Sequence, residues 1–351
     1  MEHEPFVSVV TPYYNTAPYI AECIESVLAQ EHSNFEYLLV NNKSTDGSRD
    51  IAQRYAARDP RIKLFENTEF LDQTRNFNGA LERISPASKY VKMALADDLI
   101  FPACLSSMVG LAESEPSVAI VSAYRMWGNQ LDQPGVPLKA SRLAGREACR
   151  RMLLDGVPLT GSQNTVLYRA DVVRARRPFY APDRYFADCD AAIEILLEHD
   201  LGFVHQVLSF TRTENDSLWG RSQSWDPLLL NRVLALEQFG GKVLSADEFA
   251  PARVHVRREY LCALGRHSLR MPGRQFWKYH RAGLELVGWK LDWLDVLPWT
   301  IAEVLHLVLN PENTLRRALS RRWRGRRLLA TKQRMAVQRD RAAKDGARVG
   351  I

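Results

Sequence analysis

Several common sequence signatures are missing from this chain of 351 residues. Its five cysteines are scattered and never form a Cys-x-x-Cys pair, which argues for a reducing compartment and against a structural zinc site. No Gly-x-Gly-x-x-Gly follows the first predicted strand, which makes a nicotinamide-dependent dehydrogenase an unfavourable reading. The acidic start, Met1 to Pro5, leads directly into that strand, so no signal peptide is expected.

A long uncharged apolar run is also missing. Residues 284–310 are rich in Leu, Val and Trp, but Lys290, Asp292 and Glu303 interrupt the run and Pro298 breaks it. A bilayer-spanning helix needs about 20 largely uncharged residues, so we expect none. A processive polysaccharide synthase would need transmembrane helices, so this class of enzyme is disfavoured. Together with the cysteine pattern, this predicts a cytoplasmic protein.

The positive charge is concentrated at the carboxyl end. Residues 313–351 hold 13 basic residues against two acidic ones, a balance of +11, so the other 312 residues carry −5 of the net +6. Basic clusters with interleaved Trp and Leu suit an anionic membrane surface. Nucleic acid is a less favoured partner, and a solvated, partly disordered end is the other alternative.

An amphipathic pattern precedes this basic segment. Ile301, Val304, Leu305 and Val308 recur at helical spacing, and such a face either packs on the protein core or lies on a membrane. We expect residues 284–344 to contact an anionic membrane surface, which would hold the protein peripherally at the inner face of the membrane.

Strand-like and helical patterns alternate through the first two thirds of the chain. Apolar runs typical of buried strands occupy residues 6–11, 35–40, 61–65, 90–95 and 118–122, with helical patterns between them. This alternation predicts an α/β fold with a doubly wound, mostly parallel sheet flanked by helices. The expected organisation is a catalytic domain over 1–222, a helical extension over 223–312 and a basic tail over 313–351.

Four polar loops follow predicted strands or open predicted helices, and parallel strands would bring them to one edge of the sheet. They are Pro12–Asn15, Asn41–Asp46, Gln73–Asn76 and Asp97–Asp98. The adjacent carboxylates Asp97 and Asp98 would repel each other unless a cation lay between them, such as a divalent metal holding a phosphate. Alternatively, they only turn the chain and cap the helix after Pro102.

These loops, taken together, resemble glycosyltransferase family 2, which has the GT-A fold. The resemblance covers residues 6–215, and its motifs occur in the family's order at Val9–Asn15, Val40–Ser48, Arg75–Asn76 and Leu95–Asp98. Each motif alone is weak, but four in register are highly specific. Members of the family transfer a sugar from a nucleotide sugar to an acceptor, usually with inversion at the anomeric carbon.

The resemblance implies a nucleotide-sugar site built from the first loops. It places Pro12, Tyr14 and Asn15 near the base and ribose. Asn41 stands where the family usually has an aspartate that accepts a hydrogen bond from uracil, and an amide can also donate. Arg75 matches an arginine that approaches the phosphates, and Asp97 belongs to the same nucleotide-sugar site.

The resemblance also implies a metal site and a catalytic base. Asp98 is the expected ligand of Mn²⁺ or Mg²⁺, although Leu95 replaces the first carboxylate of the family motif. Glu214 stands where many members have a histidine and is a second candidate ligand. Asp188 falls at the position of the family's base, with a helix N-cap as the competing role and Asp190 as the fallback base.

The sequence therefore predicts a metal-dependent inverting glycosyltransferase. The donor is expected to be a nucleotide sugar, most simply UDP-linked. The acceptor is expected to be a hydroxyl of a glycan or of a lipid-linked molecule in surface polysaccharide or glycolipid synthesis. Two alternatives stay open: an inactive nucleotide-sugar-binding protein, which the departures at Asn41, Leu95 and Glu214 would fit, and a basic protein that binds membranes or nucleic acid.

Overall fold

The described strands form one mixed sheet. The structure, a computed structural model, describes residues 4–132, 135–182, 184, 186–213 and 225–310. In chain order the strands are β1 (Val7–Tyr13), β2 (Phe35–Asn41), β3 (Ile62–Glu66), β4 (Tyr90–Met93), β5 (Leu99–Ile100), β6 (Val118–Trp127), β7 (Gln130–Asp132), β8 (Arg142–Leu143), β9 (Leu167–Arg169) and β10 (Asp200–Thr211). Their order across the sheet is β3-β2-β1-β4-β9-β6-β10-β5, with β7 beside β6 and β8 beside β10.

Helices connect and flank these strands. The first seven are α1 (Ile20–Leu28), α2 (Ser48–Ala56), α3 (Gln73–Leu81), α4 (Cys104–Ser114), α5 (Gly145–Asp155), α6 (Ala170–Ala175) and α7 (Ala187–Leu196). The carboxyl-terminal helices are α8 (Pro227–Val243), α9 (Ala246–Ser268), α10 (Arg274–Glu285) and α11 (Trp293–Leu309).

The predicted α/β fold with a mostly parallel sheet is confirmed. Strands β1, β2, β3 and β4 pair in parallel, and β10 pairs in parallel with β6. The short strand β9 lies antiparallel between β4 and β6, so β6 and β10 run in the same direction as β4. The carboxyl ends of these six strands therefore meet at one edge of the sheet, as the sequence predicts.

Burial explains the continuous apolar runs of the central strands. All seven residues of β1 and all seven of β2 are buried, because helices cover both faces of the sheet there. The face of α4 made by Leu105, Met108, Val109 and Ala112 is also buried. These helix positions are those that the 3.6-residue spacing predicts.

Backbone contacts divide the described residues into two compact units. The first contains residues 4–257 and 278–289, and the second contains residues 258–277 and 290–310. Helix α8 thus belongs to the same unit as the sheet, although it lies beyond residue 222. The basic tail predicted for 313–351 lies outside the described residues.

Helix α11 in the second unit begins with two acidic caps. The Asp292 carboxylate accepts a hydrogen bond from the backbone N–H of Leu294 at 3.4 Å, and Asp295 accepts one from the N–H of Asp292 at 3.1 Å. The helix runs through Pro298. Proline has no backbone N–H, so one intrahelical hydrogen bond is missing at this position. Among the described residues, no helix has the length and apolarity needed to cross a membrane.

The contact between α5 and α7 leads to a stability prediction. A Cβ atom at Gly145 would overlap the backbone carbonyl oxygens of Leu196 and His199. We expect Gly145→Ala to lower the free energy of unfolding by roughly 2–3 kcal/mol, measured by urea denaturation.

Gly110→Ala is the matched control for this substitution. Gly110 is exposed within α4, and a Cβ there would have no neighbour within 4 Å. Alanine should raise stability at this position by about 0.5–1 kcal/mol, since glycine disfavours the helix. Equal stability of Gly145→Ala and the unchanged protein would contradict the close approach of α5 to α7.

Candidate active site

The acidic turn, residues Leu95 to Leu99, follows β4 at the carboxyl edge of the sheet. The Thr11 hydroxyl of β1 donates a hydrogen bond to the carbonyl oxygen of Ala94 at 2.6 Å. The Cys23 thiol of α1 donates to the carbonyl oxygen of Leu95 at 3.3 Å. These contacts hold the start of the turn against the first β-α segment of the chain.

Asn164 holds the acidic turn from the opposite side. Its fully buried side chain accepts a hydrogen bond from the N–H of Leu95 at 3.2 Å and donates to the carbonyl oxygen of Leu99 at 3.3 Å. The carbonyl oxygen of Asn164 in turn accepts a 2.6 Å hydrogen bond from the Lys92 ammonium. Lys92 is completely buried in β4, and burial lowers its pKa. The Asn164 side chain therefore connects both ends of the acidic turn, and Lys92 holds the backbone of Asn164.

Asp98 is almost completely buried inside this turn. Its two carboxylate oxygens accept hydrogen bonds from the Thr211 hydroxyl at 3.1 Å and the Arg212 N–H at 3.0 Å. Burial, and then the charge of Asp97, raise the pKa of Asp98 to about 7. The N-cap residue of α4 is Ala103, without a side-chain hydrogen bond, so neither carboxylate caps that helix.

Arg212 joins three parts of the site. Besides its backbone contact to Asp98, its Nε donates to the carbonyl oxygen of Asp97 at 2.8 Å. Its guanidinium also pairs with Glu22 in the first turn of α1 and lies 5.2 Å from the ring centre of Tyr19. A cation at the exit of β10 thus compensates part of the negative charge around the acidic turn.

The loops after β1 and β2 are tied to each other. Asn15, with a φ of 51°, accepts a hydrogen bond from the N–H of Thr45 at 2.8 Å and donates its own N–H to the Ser44 hydroxyl at 3.1 Å. The N–H of Ser44 donates to the Asn41 side-chain oxygen at 2.9 Å. Asp46 accepts the N–H of Ala17 at 2.8 Å, so it braces the same two loops.

Asn41 keeps one hydrogen-bonding group unused. The residue is 2% exposed, and its Nδ2 is buried without a hydrogen-bond partner among the described residues. Its neighbour Asn42 instead uses both side-chain atoms, on Leu71 and on Asn67. Of these two amides, only Asn41 has a side-chain nitrogen that makes no hydrogen bond among the described residues, and a ligand could use it.

The remaining residues predicted to bind the nucleotide sugar differ in exposure. Pro12 is buried within β1, whereas Tyr14 is exposed just beyond it. Arg75 is exposed in the first turn of α3, where its Nε lies 3.3 Å from a carboxylate oxygen of Asp72. The structure connects Asn15 and Asn41 through Ser44, but it gives Arg75 no contact with either residue.

Asp188 lies in the first turn of α7. It is not the N-cap, a position that Phe186 occupies. Burial raises the pKa of Asp188, while hydrogen bonding from the N–H of Cys189 and the charge of Arg125 act in the opposite direction. Asp190 is more deeply buried and lies 3.7 Å from the Arg184 guanidinium.

Arg125 near the end of β6 connects the two acidic centres electrostatically. Its charge lowers the pKa of both Asp98 and Asp188, and its Nε donates to Asp132 at 2.7 Å. Sequence reasoning missed both Arg125 and Arg212. The available signal was a basic residue at the carboxyl end of each strand-like run.

The acidic turn fits a metal ion that a ligand helps to hold. No group of three or more His, Cys, Asp or Glu side chains suited to a metal is found among the described residues, so a cage made by the protein alone is not seen there. A metal bound to a diphosphate needs only one or two protein carboxylates. Asp98, beside Asp97, meets that requirement, and its pKa is raised first by burial and then by the charge of Asp97. Glu214 lies outside the described residues.

Comparison with protein families and relatives finds similarity to glycosyltransferases. Residues 8–171 match the sequence model of glycosyl transferase family 2. EpsE of Bacillus subtilis, named as a glycosyltransferase, is 28% identical over 226 residues, which cover 63% of this chain and 78% of EpsE. TuaG of the same organism, named as a teichuronic acid biosynthesis glycosyltransferase, is 41% identical over 95 residues, or 27% of this chain and 37% of TuaG.

Solved structures show the same fold at low sequence identity. The mannosyltransferase PcManGT from Pyrobaculum calidifontis, in complex with GDP-Man and Mn²⁺, has a TM-score of 0.55 and 17% identity, covering 90% of this chain and 84% of its own. TarS 1-349 of S. aureus, in complex with UDP-GlcNAc, has a TM-score of 0.53 and 14% identity, covering 74% of this chain and 81% of its own. The expected GT-A fold is thereby confirmed.

The raised pKa of Asp98 predicts a pH-dependent stability. An unfolded aspartate titrates near pH 4, so between about pH 4 and 7 the folded protein keeps a proton that the unfolded chain releases. The free energy of unfolding therefore falls as the pH rises through this window. Asp98→Asn removes this pH dependence. The free energy of unfolding of Asp98→Asn minus that of the unchanged protein should therefore rise by about 2 kcal/mol from pH 5 to pH 8, measured by urea denaturation without metal.

Asp59→Asn serves as the control for this pH effect. The hydrogen bond from Arg61 lowers the pKa of Asp59, so its proton has already left both states at pH 5. The effect of Asp59→Asn should be the same at the two pH values. A pH-independent effect of Asp98→Asn would show that Asp98 is charged throughout.

Proposed function

Because residues 8–171 match the sequence model of glycosyl transferase family 2, we propose that this chain transfers a sugar from a nucleotide sugar to an acceptor hydroxyl, with inversion. The observation that carries this proposal is the pair of acidic centres at the carboxyl edge of the sheet. Asp98 and Asp188 both have raised pKa values, and Arg125 acts on both. One centre suits the leaving diphosphate and the other suits the attacking hydroxyl.

The donor binds on the side of β1, β2 and β4 in this proposal. Pro12, Tyr14, Asn15 and Asn41 contact the base and ribose, and Arg75 reaches the phosphates from α3. The exposed position of Arg75 supports this role, since its guanidinium can leave Asp72 for a more highly charged partner. We propose a UDP-linked donor, in line with the complex of TarS with UDP-GlcNAc, while the complex of PcManGT with GDP-Man makes guanine the alternative base.

Asp188 acts as the general base. A sugar hydroxyl has a high pKa, so a carboxylate within hydrogen-bonding reach must take its proton as the new glycosidic bond forms. Partial burial raises the pKa of Asp188, which makes it a better proton acceptor than an ordinary aspartate. The bond to the diphosphate breaks in the same in-line step, which inverts the anomeric carbon and needs no covalent intermediate.

Asp98, with Asp97 beside it, holds Mn²⁺ or Mg²⁺ in this proposal. The metal would stabilise the negative charge that develops on the departing diphosphate. The Mn²⁺ in the PcManGT complex supports a metal-dependent reaction. Glu214 is proposed as a further ligand on sequence grounds alone.

The proposals for the acceptor and the location rest on a relative and on the carboxyl end of the chain. The name of TuaG, a teichuronic acid biosynthesis glycosyltransferase, supports a role in surface polysaccharide synthesis, with a glycan or lipid-linked acceptor. Helix α11 carries partly exposed apolar side chains at Ile301, Val304, Leu305 and Val308, and the strongly basic residues 313–351 follow it. We propose that this region binds an anionic membrane surface where such acceptors reside.

Calorimetric titration with UDP, GDP and dTDP, each with and without Mn²⁺, tests the donor class. One nucleotide should bind clearly, and more tightly with metal.

Asp188→Asn should keep this nucleotide binding but lose sugar transfer and slow donor hydrolysis by about 100-fold or more, the usual contribution of a general base. Asp190→Asn is the matched control and should cost less, because Arg184 already pairs with Asp190.

Two outcomes would count against the proposal in different ways. Unchanged turnover by Asp188→Asn would mean that another residue is the base. Binding of nucleotide sugar without any transfer or hydrolysis by the unchanged protein would favour an inactive binding protein instead.

Flotation with lipid vesicles tests the membrane proposal. The full chain should float with vesicles that contain anionic lipid, and less with neutral ones, because each Lys or Arg near an anionic surface contributes about 1 kcal/mol. Replacing Leu305 and Val308 by glutamate should weaken flotation, whereas Val254→Glu, at an exposed position of α9, should not. A full-length protein that stays with the soluble fraction would remove the proposal.

A further inference from the structure

Two aromatic rings are exposed together at the carboxyl edge of the sheet. Tyr14, after β1, is 44% exposed, and Phe70, between β3 and α3, is 59% exposed. Their ring centres are 4.8 Å apart, and their planes meet at 60°. In an edge-to-face contact, the ring that presents its edge keeps both faces open. The pair therefore offers open aromatic faces to a planar ligand.

The backbone on both sides of Phe70 is fixed to the end of β2. The N–H of Asn67 donates to the carbonyl oxygen of Asn41 at 2.9 Å. On the other side, Leu71 exchanges two hydrogen bonds with the Asn42 side chain, at 3.0 and 2.8 Å. Phe70 is thus held where β2 ends and cannot move far from Asn41.

The unused donor of Asn41 is a second, independent sign of a ligand here. Its Nδ2 is buried and has no hydrogen-bond partner within the part of the chain that the structure describes, while its side-chain oxygen already accepts the N–H of Ser44. A buried donor of this kind is normally paired, and a bound ligand with an acceptor atom would satisfy it. A planar heterocycle with oxygen or nitrogen acceptors combines both requirements, and a nucleobase is such a group.

We propose that Phe70 stacks on the nucleobase of the donor, with Tyr14 supporting its ring and Asn41 donating to an acceptor atom of the base. This inference rests on the proposed function and deepens it, since it makes residues 67–71 part of the base site. No motif in the sequence marks Phe70, which lies outside the four polar loops. Stacking tolerates any base, so Phe70 contributes affinity, while Asn41 contributes selectivity.

Titration of the full chain with UDP, GDP and inorganic pyrophosphate, each with Mn²⁺, tests this role. Phe70→Ala and Phe70→Leu should weaken binding of the nucleotides by about tenfold, because the aromatic face is lost. Phe70→Trp should retain binding. Pyrophosphate has no base, so its affinity should be the same in all four proteins. Val254→Ala, at an exposed apolar position of α9, is the control and should change nothing.

The outcomes separate this inference from the function on which it rests. Full nucleotide affinity in Phe70→Ala would overturn the stacking role while leaving the donor class intact. An equal loss of pyrophosphate and nucleotide affinity would also overturn it, since the substitution would then disturb the phosphate site. If the unchanged chain bound neither nucleotide nor pyrophosphate, the proposed function itself would fail, and the base site with it.

Discussion

The site depends on keeping the Asp98 carboxylate buried beside a second carboxylate, Asp97. Burial and like charge both oppose ionisation, and together they raise the pKa of Asp98 to about 7. The hydrogen bonds from Thr211 and Arg212 offset only part of this cost. A turn with this charge would move apart if it were loosely held. The contacts around it are therefore as necessary to the site as the carboxylates.

Those contacts connect the acidic turn to two other parts of the chain. Thr11 and Cys23 tie the acidic turn to the segment that carries Tyr14 and Asn15. Asn164 ties it to the short helical turn over residues 163–165. Because neighbouring contacts on one buried turn are energetically coupled, a change at Asn164 should alter the acidic turn as well.

Local patterns accounted for the parts of the structure that the sequence predicted well. The buried faces of α1 and α4 follow from apolar spacing, and the acidic turn follows from carboxylates after an apolar run. The contributions of Arg212 and Lys92 could not be predicted in this way. Arg212 is 114 residues from Asp98, and Lys92 resembles an interruption in an apolar strand until its contact with Asn164 is known. The pairing of distant residues depends on the sheet order.

The departure at Leu95 from the family's acidic motif does not by itself indicate a decayed site. The N–H and carbonyl groups of Leu95 make the hydrogen bonds that hold the turn, with Asn164 and Cys23 as partners. A side-chain carboxylate at this position is therefore unnecessary for the conformation of the turn. The two carboxylates that remain are as many as a diphosphate-bound metal requires, because the phosphates supply further oxygen ligands. Loss of the first carboxylate would then lower the affinity for the metal, while the hydrogen bonds of Leu95 would still hold the turn that buries Asp98.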